Sequence, residues 1–130
     1  MNTKHVTSLE TSKQLAEAGI VIESESQWEV GGKLSGKQNA TLVLRNRPPS
    51  FVSADSAWSF YPAPIATEIM EWFPRGYDFG FELIKLGEGY GAICKDYRVM
   101  PYKRIGFEKD DNASDALALL LIRLTKDGLI

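Results

Sequence analysis

A chain of 130 residues fits one domain, residues 1–130, and leaves little room for a second. Its 44% hydrophobic residues include three Trp, five Tyr and six Phe, enough apolar surface to build a core, which excludes general disorder. A net charge of -2 argues against a dedicated nucleic-acid binder, which carries a basic excess, and the single cysteine, Cys94, excludes an internal disulfide and suits a reducing cytoplasm.

Residues 1–8 lack the apolar run of a secretory signal, and the longest apolar run, residues 116–122, is too short to span a bilayer, so no membrane association is expected. The first helix is expected over residues 8–18. Thr7 and Glu10 have capping-box spacing, and Gly19 stands where a left-handed stop is needed. Strict alternation follows: Ile20, Ile22, Ser24, Ser26, Trp28 and Val30 share one parity, Val21, Glu23, Glu25, Gln27 and Glu29 the other. That period of two predicts a half-buried strand over 20–30. Gly31-Gly32 reads as a turn, and residues 41–45 read as an antiparallel partner.

Arg47-Pro48-Pro49 ends that strand because proline cannot donate to a ladder. Residues 51–62 read as irregular but unusually aromatic. Pro64 suits the first turn of a second helix, 64–73, with Ile65, Ile69, Trp72 and Phe73 along one face. Residues 78–86 and 90–97 form a hairpin across Gly87-Glu88-Gly89, and 102–108 add a third strand connected through Val99 to Pro101. One of Asp110, Asp111 and Asn112 caps the last helix, 113–126, which stops at Gly128. Ala113, Ala116, Leu117, Leu120, Leu121 and Leu124 share its broad apolar arc, with Leu119 and Ile122 on the other side. The expected fold is therefore α+β: an antiparallel sheet of about five strands, order α-β-β-α-β-β-β-α, with helices on one face.

Motifs with chemical meaning dissolve on inspection. The Gly87-Glu88-Gly89-Tyr90-Gly91 run and Asp78-Phe79-Gly80 imitate kinase signatures, but their order is reversed and the glycines lead into a strand rather than a helix. His5 is the only histidine and has no evident nucleophile or zinc partner. Cys94 lies in a strand and reads as a buried thiol. Glu108, Asp110, Asp111 and Asp115 lack calcium-loop spacing and read as complements to a helix N-terminus. No catalytic, metal or cofactor residue is nominated.

The residues that could bind a partner are Arg45, Arg47, Trp58, Phe60 and Tyr61, with Lys33 and Lys37 nearby. Arg, Trp and Tyr are the usual anchors of protein contacts, and cations beside aromatics also suit single-stranded nucleic acid. The opposing expectation is that these aromatics fold inward over the sheet. Lys103 and Arg104 read as a solvated strand edge. Leu119 and Ile122 offer a homodimer contact, or else pack against a second element within the monomer.

The segments Ser8-Leu9-Glu10-Thr11-Ser12-Lys13-Gln14-Leu15-Ala16-Glu17-Ala18-Gly19-Ile20, Tyr61-Pro62-Ala63-Pro64, Glu71-Trp72-Phe73-Pro74, Ser114-Asp115-Ala116-Leu117-Ala118-Leu119-Leu120-Leu121-Ile122-Arg123-Leu124 and Gly128-Leu129-Ile130 stand at both ends and the middle. In them the chain resembles short uncharacterised proteins of bacterial, phage and prophage genomes. The resemblance covers well under half the chain, rests on caps and core positions, and carries no known activity. It implies a bacterial or mobile-element accessory protein. The functional expectation is a non-enzymatic protein-interaction module, monomeric or homodimeric. The alternatives are a nucleic-acid-binding accessory protein using residues 45–61 and a small enzyme with an unrecognised site.

Overall fold

A computed structural model of the chain describes residues 5–31, 40–44, 59–74, 76 and 78–130, with the backbone alone at Val43. These residues form α1 (Leu9–Glu17), β1 (Ser26–Val30), β2 (Ala40–Leu44), β3 (Ser59–Pro62), α2 (Ala66–Met70), β4 (Phe79–Leu86), β5 (Gly89–Asp96), β6 (Lys103–Asp110) and α3 (Ala113–Lys126). The strands make two antiparallel sheets, β2-β1-β3 and β4-β5-β6.

The α+β class holds, but the single sheet of about five strands does not. The unforeseen element is β3, inside the stretch expected to be irregular. It pairs with β1 on the edge opposite β2, from Gln27↔Pro62 to Val30↔Ser59. Both edges of β1 are then occupied, and among the described residues the first sheet has three strands. The four-residue segment ends in proline, which masks it in sequence. Pro62 is tolerated because β3 is an edge strand.

The alternating segment 20–30 is a strand only from Ser26. Upstream, Ile20, Ile22 and Ser24 are buried while Val21, Glu23 and Glu25 are exposed, yet no ladder forms. Alternation reports one buried face and not a backbone partner. Side chains fasten this stretch instead: the single Ser24 Oγ proton is shared between the Ala63 carbonyl at 3.1 Å and Glu68 Oε1 at 3.0 Å.

The helix ends follow their glycines. α1 and α3 both close with paired bonds onto the preceding turn: Gly19 N to Ala16 O and Ile20 N to Leu15 O in α1, Gly128 N to Thr125 O and Leu129 N to Leu124 O in α3. Gly19 and Gly128 supply the φ of 76° and 72° that this ending requires. The expected Thr7–Glu10 box is replaced by Ser8, whose Oγ accepts from Thr11 N at 3.2 Å. Thr7 is instead fully buried against Ser12 Oγ at 2.7 Å. In α2 the regular part is shorter than 64–73. Only Ile69 and Phe73 of the expected face are buried, while Ile65 and Trp72 are exposed.

The core lies between α3 and one face of β4-β5-β6. Ala92, Cys94 and Gly106 form the floor beneath α3. A Cβ at Gly106 would stand 2.8 Å from Leu120 Cδ1, so the glycine sets how closely α3 approaches β6. α1 and α2 pack on α3 from the far side. Residues 5–8 cross the N-terminus of α3, whose side chains hold their backbone. Ser114 Oγ donates to His5 O at 2.8 Å, Asn112 Nδ2 to Val6 O at 2.7 Å, and Ser8 N to Asp115 Oδ1 at 2.7 Å.

Among the described residues, helices cover one face of the second sheet. Cross-strand rows on the opposite face run Gly80–Lys95–Arg104, Glu82–Ile93–Phe107 and Ile84–Gly91–Lys109. A bulge between Cys94 and Lys95 makes these rows possible. Cys94 faces Gly106 while Lys95 faces Arg104, so Ile105 is the extra residue. Ile105 packs with Gly106 on the core side and Arg104 emerges on the open side. An unbroken register would exchange them.

Candidate interaction surface

The β5–β6 connection, residues 97–102, wraps the end of the second sheet. It exposes four large apolar side chains: Tyr97 (42%), Val99 (48%), Met100 (88%) and Tyr102 (48%). Isolated exposed apolar residues are ordinary, but four on one short connection form a patch.

The connection is anchored where it leaves β5. Tyr97 N donates to Asp78 O at 2.8 Å. Asp96 accepts from Arg98 three times: from its backbone N at 2.9 Å, from Nε at 3.0 Å and from Nη2 at 3.0 Å on the second oxygen. Those bonds from Arg98, aided by Lys103, hold the Asp96 carboxyl below its ordinary range. The guanidinium also lies 4.7 Å from the Phe79 ring centroid, so Arg98 clamps the turn onto the sheet end.

On the open face, Tyr97 lies over Gly80, where a Cβ would meet the ring at 2.5 Å. The Tyr97 and Tyr102 ring centroids are 5.9 Å apart at 58°. Lys95 Nζ stands 4.8 Å from the Tyr102 centroid and 3.0 Å from Glu82 Oε1, and that hydrogen bond raises its pKa. Arg104 lies over Phe107 at 5.3 Å. The result is an exposed apolar tip with cations beside it. Three of those cations lean on aromatic rings.

A second feature is an open cleft of about 620 Å³ between the start of α3, the start of α2 and the β4–β5 hairpin. Its polar lining includes His5, Lys85, Glu88, Asp111 and Ser114. Lys85 Nζ sits 4.4 Å over the Tyr90 ring, and the Ser114 hydroxyl is engaged by the His5 carbonyl. Among the described residues no His, Cys, Asp and Glu group could hold a metal ion.

The residues nominated from sequence are scattered. Arg45, Arg47 and Trp58, with Lys33 and Lys37, lie outside the described residues. Phe60 is 45% exposed on β3, and half-buried Tyr61 has Lys13 Nζ at 5.9 Å. The two do not form one exposed face. Leu119 is half-buried, and Ile122, at 5% exposure, belongs to the core; contact with a second element of the monomer accounts for Ile122. The kinase-like glycines are a two-residue turn with φ of 51° at Gly87. Cys94 is buried, and desolvation, with Asp96 nearby, pushes its thiol up to about 11.

Of the four acids expected at the α3 N-terminus, only Asp115 enters its first turn, and it is buried. Asp110 accepts from Asn112 N, Glu108 pairs with Arg123 at 3.5 Å, and Asp111 is exposed. The surface at 97–102 was missed because the stretch reads as a mere connection. The available signal was its composition: from Tyr97 to Arg104 there are four large apolar residues, three cations and no acid. No helix among the described residues is long and apolar enough to cross a membrane. No family model, curated protein or solved structure matches the chain.

Proposed function

We propose that this chain is a non-enzymatic protein-interaction module, an accessory protein of a bacterium or phage, that docks a partner on the tip at residues 97–102. The observation that carries the reading is the joint exposure of Tyr97, Val99, Met100 and Tyr102 on a connection clamped by Asp96 and Arg98. A preorganised apolar patch loses little conformational entropy on binding, and exposed Met and Tyr are well suited to adaptable contacts. The cellular setting rests on the sequence resemblance alone.

The test compares the wild-type chain with M100D/Y102S in pull-downs from lysate of the source cell. A protein retained in stoichiometric amount by the wild type should be lost by the variant, while circular dichroism shows both folded. Equal retention by both chains would remove the tip as the docking site.

A further inference from the structure

We infer that the partner surface received by this tip is an acidic, apolar protein segment; the inference rests on the docking reading just given and adds the charge of the partner. The chain carries a net charge of -2, yet residues 97–104 contain Arg98, Lys103 and Arg104 and no acid. The local charge therefore opposes the charge of the whole molecule, and it stands beside Met100, the most exposed large apolar side chain among the described residues.

The cations divide into two kinds. Lys95 is paired with Glu82 and Arg98 with Asp96, so those two are largely neutralised within the sheet end. Lys103 and Arg104 are exposed and make no ion pair among the described residues. Arg104 rests its guanidinium on Phe107, which holds it outward on the open face beside Lys95. The bulge at Ile105 is what places it there. Lys103 faces Asp96 across the ladder and already acts on its carboxyl, whereas Arg104 stands on the other face with no acid opposite it. Exposed cations next to an apolar tip match carboxylates next to apolar side chains, the complementary pattern that fixes register and selects partners.

Single-stranded nucleic acid fits this surface less well. A stacking platform needs open ring faces, whereas Tyr102 carries Lys95 over its ring, Tyr97 lies against Gly80, and the two rings are tilted by 58°. Val99 and Met100, the aliphatic half of the patch, have no role in base stacking. Lysines on an edge strand also discourage strand-to-strand aggregation, but that purpose does not require exposed apolar residues beside them.

The experiment pans the purified full chain against a displayed random dodecapeptide library, then measures resynthesised binders by fluorescence anisotropy. Wild type should enrich peptides with excess Asp and Glu beside aliphatic or aromatic residues. K103E/R104E should weaken them at least tenfold and select basic peptides instead. M100D should also lose them, whereas K85E in the distant cleft should retain them. Binders lost on M100D but without acidic excess, and held equally by K103E/R104E, would overturn the acidic partner and leave the docking reading standing. Binders indifferent to M100D would remove both. In a parallel arm with oligo-dT, tight binding that falls steeply with salt and is abolished by K103E/R104E would overturn the inference in favour of nucleic acid.

Discussion

The backbone N–H of Ser8 donates to Asp115 Oδ1 at 2.7 Å, joining positions 107 residues apart. The bond ties the N-cap of α1 to the first turn of α3, and the carboxylate is 5% exposed. Asp115 to Ala should therefore destabilise the chain by about 1–3 kcal/mol, because a buried donor loses its acceptor. Asp115 to Asn keeps an oxygen there and should cost much less. Chemical denaturation of the three chains at neutral pH checks both.

The same carboxyl has a sign for pH. Burial raises its pKa against the lowering effect of the Ser8 and Thr11 hydrogen bonds. A raised acid binds its proton more readily when folded, so its contribution falls as pH rises from the unfolded value of 3.8 upward. The stability of wild type relative to D115N should decline across that window.

Asp96 has the opposite sign. Arg98 lowers its pKa, so the clamp is complete above pH 3.8 and is lost as pH falls through the depressed folded value. Asp96 to Ala should free the connection, and limited trypsin digestion should cut after Arg98 faster than in wild type. Unchanged cleavage would show that the turn is held by other contacts.

Cys94 should be inert to thiol reagents at pH 8 until the chain unfolds, because the folded thiol titrates only near 11. In the unfolded chain it ionises near 9.0, so stability should fall between pH 9 and 11, by at most about 2–3 kcal/mol from this group. The fall should be smaller in C94A.

Gly106 to Ala should cost about 1–3 kcal/mol, since the new methyl meets Leu120 Cδ1 at 2.8 Å and that side chain must give way within a fully buried contact. Met100 to Asp, at a side chain 88% exposed, should change stability by less than about 0.5 kcal/mol. Thermal melts of the two variants side by side separate the packed face of the sheet from its open end.

Local chemistry was legible in the amino-acid sequence. The stops at Gly19 and Gly128, the Gly87 turn, a cap within residues 110–112 and the bounds of α3 each depend on residues within one turn of one another. The α+β class follows from them. What only the tertiary structure decided are the relationships that cross the chain. β3 exists because β1 offers a free edge, and residues 20–25 alternate without a ladder because none of the described strands pairs with them. The Ser8–Asp115 bond needs a fold to bring its ends together. The candidate surface belongs to this second kind. Tyr97, Met100 and Tyr102 belong to a stretch that reads in sequence as two strand ends and the connection between them. They are outside because α3 covers only the other face of the sheet, and because one extra residue at Ile105 turns Arg104 outward beside them.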